Sequence, residues 1–73
     1  MTIAQIKTAC SAQPFQPFNL HLADGRQIPV RHPEFLIVPP VGRILIVYQR
    51  DGASNMVDAL LVTDIEILSP SVA

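Results

Sequence analysis

Hydrophobic and polar residues alternate through residues 18–30, on both sides of a central Asp-Gly pair. Such alternation is typical of a strand with one buried face, and Asp-Gly is a strong hairpin signal because glycine adopts the positive φ that the turn needs. A three-residue loop at residues 23–25 pairs Leu20 with Ile28 and keeps the apolar residues on one face, whereas a two-residue loop mixes the faces. The pattern predicts a β-hairpin with a type I turn and Gly25 in a G1 bulge.

Further apolar segments follow the hairpin and are separated by turns that contain proline or glycine. Pro33 cannot donate a hydrogen bond to a neighbouring strand, so the second strand is expected to bend at residues 31–34 and to resume at residues 35–38. A tight corner is expected at Thr63-Asp64. The remaining strands are expected at residues 43–49, 55–61 and 65–68.

The N-terminus contains the single helical candidate, at residues 2–12. Thr2 and Gln5 have the spacing of a capping box, and the apolar residues that follow lie at helical spacing. Pro14 and Pro17 end the helix because each lacks an N–H and disfavours the α conformation of the preceding residue.

Short strands joined by tight turns, one of them bent in the middle, favour a small curled sheet. We predict a single mostly-β domain over residues 1–73: a five-stranded antiparallel SH3-like or Sm-like barrel at residues 18–68, with a short N-terminal helix and a C-terminal tail at residues 69–73. The main alternative is a two-layer α+β sandwich, which would need a second, longer helix over the sheet.

The chain is richer in hydrophobic residues than a small monomer needs: 49% of its 73 residues are hydrophobic and 15% are charged. Residues 35–38, 44–48 and 59–62 are apolar at successive positions, which indicates strands that are hydrophobic on both faces. One short helix cannot cover three such strands. A homo-oligomer, or a complex with another protein, is therefore expected to cover them.

The interface of this oligomer is predicted from the apolar segments. Its expected residues are Leu36, Ile37, Leu45, Val47, Leu60 and Leu61. The alternative is that these residues only express β-propensity at exposed positions.

Charge and cysteine content exclude several classes of function. The net charge of −1 produces no long-range positive field to attract nucleic acid or an acidic membrane. The lone Cys10 cannot form an internal disulfide, which is typical of a reducing compartment. With no transmembrane segment and no basic, apolar leader, a soluble cytoplasmic protein is expected.

Candidate residues for catalysis or metal binding are few: Cys10, His21, His32 and Glu34. None has a metal-ligand spacing, and a fold this small leaves little room for a substrate cleft. We therefore expect no enzymatic activity, no metal and no cofactor. A small hydrolase or metal protein would need Cys10 close to His32, whose more ordinary role is a hydrogen bond to a local carbonyl or to Glu34.

Four basic residues near strand ends are the candidates for contact with nucleic acid or another anion, because loops at strand ends gather in a barrel. These residues are Arg26, Arg31, His32 and Arg43, with Arg50 and Tyr48 as further members of the same patch. The alternative is that the arginines are solvated residues flanking hydrophobic strands.

Residues 14–35, PFQPFNLHLADGRQIPVRHPEF, resemble a group of short bacterial proteins of uncharacterised function that share the pattern PFxPFxxxLxDGRxxxVxHPEF. This resemblance implies a small barrel. More remotely, LADGR at residues 22–26 is similar to the start of the first motif of Sm-like proteins, which implies a ring of subunits that binds RNA. We predict a self-associating structural or protein-interaction module, with an Sm-like RNA-binding ring as the alternative.

Overall fold

The structure, a computed structural model, describes residues 1–68. In this range one α-helix and six strands form two three-stranded antiparallel sheets. The helix α1 is Ile3–Cys10, and the strands are β1 (Phe18–Leu22), β2 (Gln27–Val30), β3 (Leu36–Ile37), β4 (Ile44–Tyr48), β5 (Ser54–Asp58) and β6 (Val62–Ile67). The first sheet has the order β2-β1-β6 and the second sheet has the order β3-β4-β5. The tail predicted at residues 69–73 lies outside the described residues.

The predicted mostly-β fold with a short N-terminal helix is confirmed, but within residues 1–68 strand pairing does not close the two sheets into a barrel. The bend expected at residues 31–34 interrupts the second strand, so the structure has six strands where five were predicted. A 3₁₀ turn at Pro33–Phe35 divides the long second strand into β2 and β3, because Pro33 withholds a donor at this point.

The first hairpin has the predicted register. Leu20 lies opposite Ile28, and the loop is closed by hydrogen bonds from Gly25 N–H to the Leu22 carbonyl (2.9 Å) and from Leu22 N–H to the Arg26 carbonyl (2.9 Å). Gly25 has φ +93°, the left-handed conformation that a G1 bulge requires. The three-residue loop is therefore confirmed.

The capping box at the start of α1 is also confirmed. Thr2 Oγ1 accepts a hydrogen bond from Gln5 N–H (3.2 Å), and Gln5 Oε1 accepts one from Thr2 N–H (3.0 Å). The buried side of the helix is centred on Ile6, which is fully inaccessible to solvent. This side packs against the core formed by the sheets.

The corner predicted at Thr63-Asp64 is wrong, because these residues lie inside β6 and the chain turns earlier, in a 3₁₀ turn at Ala59–Leu61. Asp58 begins this turn by accepting a hydrogen bond from Leu60 N–H (2.9 Å). Residues 59–62 are accordingly a turn followed by the first residue of β6, not a strand with two apolar faces.

The hydrophobic core lies between the inward faces of the two sheets and α1. Its buried members are Ile6, Phe18, Leu20, Leu22, Ile28, Val30, Leu36, Leu45, Val47, Val57, Ala59 and Val62. Phe15 is half-buried at the edge of this core, with its ring centroid 5.8 Å from that of Phe18.

Residues 1–68 contain no helix of the length and apolar character that a membrane crossing requires.

Candidate interaction surface

The outward faces of the two sheets differ in chemistry. On the first sheet the outward positions of β1 and β6 are polar, because Asn19 lies opposite Glu66 and His21 lies opposite Asp64. On the second sheet the outward positions are mainly apolar. We call the set Ile37, Ile44, Ile46, Tyr48 and Met56 the apolar face.

The centre of the apolar face is a row that crosses all three strands of the second sheet. Ile37 of β3 lies opposite Ile46 of β4, which in turn lies opposite Met56 of β5. Such cross-strand neighbours have Cβ atoms only about 5 Å apart, so they form one continuous apolar strip. Met56 is 75% exposed and Ile37 is 46% exposed, whereas Ile46 between them is half-buried.

One end of the apolar face carries an ion pair. Arg43 Nε donates to Asp58 Oδ2 at 2.9 Å, and the side chain of Arg43 is well exposed. The hydrogen bond from Leu60 N–H, and then the bond from Arg43, hold the pKa of the Asp58 carboxyl below its usual value. Arg43 and Asp58 neutralise each other, so this end of the apolar face has no net charge.

The polar face of the first sheet carries its own pair, between His21 Nε2 and Glu66 Oε1 at 2.8 Å. This hydrogen bond is the main cause that lowers the pKa of the Glu66 carboxyl, and a bond from Asn19 contributes. Both carboxylate and imidazole are partly exposed. The outward side of β1 and β6 is therefore well solvated, as a sheet face in contact with water should be.

The predicted interface residues divide into two groups. Ile37, Leu60 and Leu61 are exposed, at 46%, 65% and 46%. Leu36, Leu45 and Val47 instead lie in the core, with exposures of 5%, 0% and 0%, so their side chains are not available to a second copy.

The reason for this correction is the phase of β4. Five successive apolar residues give no indication of which alternate positions point inward, and the inward set is Leu45 and Val47. The sequence prediction of the interface consequently missed Ile44, Ile46, Tyr48 and Met56. The sequence of β5 does indicate which residues of β4 point outward. Its terminal residues Ser54 and Asp58 are polar and lie opposite Tyr48 and Ile44, so all four side chains are on the outward face of the sheet.

Among the basic residues predicted to contact nucleic acid, Arg31 and His32 are neighbours in the chain, and Arg43 directly precedes β4. Arg26 and Arg31 flank β2 at its two ends, roughly 16 Å apart at the rise of an extended strand. Arg26 Nε donates a hydrogen bond to Asp24 Oδ2 (2.8 Å), and Arg43 Nε donates one to Asp58 Oδ2. Anion binding by these residues stays a prediction.

Cys10 lies close to the segment that contains His32, since Cys10 Sγ donates to the carbonyl of Pro33 at 3.5 Å. The His32 ring contacts Phe35 edge-on, with a centroid separation of 5.1 Å. Partial burial raises the pKa of the Cys10 thiol. A raised pKa lowers the thiolate fraction at neutral pH, which is the opposite of what a cysteine nucleophile requires.

No cluster of three or more His, Cys, Asp or Glu side chains with metal-binding proximity occurs among residues 1–68. A shallow depression on the outer side of α1 is lined by Ala4, Lys7, Thr8, Ser11 and Ala12. It gathers one charged group and two hydroxyls on an open surface, which is a poor environment for excluding water from a reaction.

Comparisons with family models, with curated proteins and with solved structures find no match for this chain. The resemblances to short bacterial proteins and to Sm-like proteins accordingly stay predictions from sequence.

Proposed function

We propose that the protein is a non-enzymatic, self-associating interaction module, and that the apolar face is the surface buried between copies. The observation that carries this proposal is the contrast between the two sheets. One chain exposes a polar face on its first sheet and an apolar face on its second sheet. The sheet face that meets water in this protein carries polar residues. The apolar outward face of the second sheet is therefore best explained as a surface that another molecule covers in the functional state.

A second copy suits the apolar face better than a charged partner does. Burial of apolar surface contributes roughly 25 cal/mol per Å², and the exposed side chains of Met56, Ile37 and Ile44 supply this surface. The ion pair of Arg43 with Asp58 leaves no uncompensated charge from these two residues at their end of the face. Two copies can therefore approach without repulsion between like charges.

We also propose that the two sheets are halves of an SH3-like barrel, in which β2 and β3 are one bent strand. Two features support this proposal: the sequential pairing of β1 with β2 and of β3 with β4, and the return of β6 to β1. The single cysteine and the low net charge fit a role in the cytoplasm.

The RNA-binding ring is the less favoured alternative. Two of its four expected contacts, Arg26 and Arg43, are each neutralised by a neighbouring aspartate. Release of these arginines to phosphate would break both ion pairs, and the net charge of −1 offers no compensating attraction.

Light scattering over a dilution series tests the proposal. We expect the wild-type particle to contain more than one chain. Ile44→Lys places a charge on the apolar face and should lower the particle mass. Val41→Lys is the matched control, because Val41 is 85% exposed but lies in the turn before β4, outside the apolar face.

A wild-type particle with the mass of one chain at every concentration would contradict self-association. Equal masses for wild type and Ile44→Lys would contradict the apolar face as its site. Circular dichroism of both lysine variants checks that they remain folded. An increase of particle mass with oligo-RNA, lost steeply with added salt, would favour the RNA-binding alternative.

A further inference from the structure

The outer edge of β5 presents backbone groups that are directed away from its own sheet. Hydrogen bonds from Gln49 N–H to the Ala53 carbonyl (2.8 Å) and from Ala59 N–H to the Arg43 carbonyl (2.8 Å) fix which residues of β5 face β4. Bonded and non-bonded pairs alternate in an antiparallel ladder. The N–H and C=O groups of Ser54, Met56 and Asp58 therefore point away from β4.

The other free edges within residues 1–68 carry features that discourage pairing with another strand. On β2, Pro29 lies at a non-bonded position opposite Asn19, so the outward edge lacks a donor there. β3 has only two residues. β6 carries two acidic side chains, Asp64 and Glu66. β5 is five residues long and contains no proline, lysine or arginine.

We infer that β5 pairs with β5 of a second copy, antiparallel and about a two-fold axis that passes beside Met56, to form a continuous six-stranded sheet. The inference rests on the proposed self-association and specifies its geometry. The three outward residues of each strand supply about six backbone hydrogen bonds across this edge.

The side chains of β5 are compatible with pairing to themselves. With Met56 opposite Met56 of the second copy, Ser54 lies opposite Asp58, and a hydroxyl faces a carboxylate that has free acceptor capacity. The two Asp58 side chains are then roughly 14 Å apart along the strands. Pairing with β6 of another copy instead places Asp64 and Glu66 beside the Arg43–Asp58 pair, so that three carboxylates share one arginine and the charges no longer balance.

The size of the apolar face gives a second argument. Strands β3, β4 and β5, of two, five and five residues, cover a footprint of roughly 200 Å², well below the ~800 Å² per partner of a standard stable interface. Pairing at β5 doubles the width of the apolar face, with Ile37, Ile46, Met56 and their counterparts forming one row across six strands. This larger face then packs against the same face of another pair, which is a closed symmetric assembly.

Disulfide cross-linking tests the register directly. In a Cys10→Ser background, Met56→Cys places two thiols opposite each other at a Cα separation of about 5.5 Å, within the range for a disulfide. Ser54→Cys is the matched control on the same strand, because two copies of position 54 lie roughly 14 Å apart. Under mild oxidation we expect the position 56 variant to form covalent dimers at least tenfold faster than the position 54 variant.

A proline substitution tests the backbone bonds. Met56→Pro removes an outward N–H without removing a bond to β4, as Pro29 does naturally in β2. Met56→Ala removes the same side chain and keeps the N–H. We expect the proline variant to have a smaller particle mass than the alanine variant at equal concentration, with circular dichroism confirming that both are folded.

Equal cross-linking rates at positions 54 and 56 would overturn the β5 pairing, whatever the proline variant does. Equal masses for folded Met56→Pro and Met56→Ala would overturn it as well. If the wild type nevertheless contains several chains and Ile44→Lys dissociates it, the proposed function stands and only this geometry fails. A single-chain wild type would contradict both.

Discussion

Asp58 accepts a 2.9 Å hydrogen bond from the backbone N–H of Leu60, and this bond starts the 3₁₀ turn that carries the chain from the second sheet to the first. The other oxygen of the same carboxylate accepts from Arg43. One side chain therefore fixes the direction of the chain after β5 and also neutralises the cation beside the apolar face. Two substitutions separate these roles.

We predict that the stability to urea decreases in the order wild type, Asp58→Asn, Asp58→Ala. Asparagine keeps an oxygen that accepts from Leu60 N–H but loses the charge that pairs with Arg43, whereas alanine loses both. Urea unfolding at pH 7, followed by circular dichroism, measures the order. If the alanine variant were as stable as wild type, Asp58 would have no role in starting the turn.

The stability of Asp58→Asn should also depend less on pH than that of wild type. The folded-state pKa of Asp58 is lowered from the model-compound value of 3.8, so its contribution is fully present above that value and is lost as the pH falls through the lowered pKa. The difference in unfolding free energy between wild type and Asp58→Asn should therefore shrink between pH 5 and about pH 2. A difference that stays constant over this range would contradict the lowered pKa.

Thr2 and Thr8 allow a matched test of the capping box, since both are exposed threonines at or in α1. Thr2→Ala removes the acceptor for Gln5 N–H and should cost about 1 kcal/mol. Thr8 only returns a bond to the Ala4 carbonyl within the helix (2.9 Å), so Thr8→Ala should be neutral or slightly stabilising. Urea midpoints of the two variants measure the difference, and equal midpoints would exclude a stabilising cap.

Local chemistry explains which elements the sequence predicts. The hairpin loop at residues 23–25 and the capping box of α1 depend on residues close together in the chain, and both agree with the structure. The 3₁₀ turn at Ala59–Leu61 was missed because its three residues are as apolar as a buried strand. Asp58, two residues before the bonded N–H, was the available signal for a turn.

Which residues of β4 point inward depends on tertiary structure. The predicted interface therefore included Leu45 and Val47, which are buried, and omitted outward residues of the same strand. Every residue of β4 is apolar or aromatic, so hydrophobicity fits either phase equally well. Pairing with β5 selects the phase, since Leu45 lies opposite Val57 and both point into the core. In strands without polar residues, the sequence of the strand alone does not determine which side chains point into the core.

Valine substitutions at the adjacent residues Leu45 and Ile44 test which of the two side chains points into the core, because each substitution removes one methylene. Leu45→Val removes one methylene from a fully buried site and should lower the free energy of unfolding by about 1 kcal/mol. Ile44→Val removes one methylene at a site that is 44% exposed and should change it by less than about 0.5 kcal/mol. Both are measured by urea unfolding, and equal losses would contradict the phase.

Alkylation kinetics of Cys10 test whether this thiol is activated. Partial burial raises its pKa from 9.0, so at pH 7.5 the folded protein holds less thiolate than the unfolded chain does. Since the thiolate is the reactive form, iodoacetamide should modify Cys10 more slowly in the native protein than in the same protein unfolded by urea. At pH values above the pKa of Cys10 in both the folded and the unfolded protein, the thiol is fully ionised in each. The ratio of the two rates should then reflect only how accessible Cys10 is to the reagent. A native rate that exceeds the unfolded rate at neutral pH would indicate an activated thiol and would favour the hydrolase alternative over a non-enzymatic module.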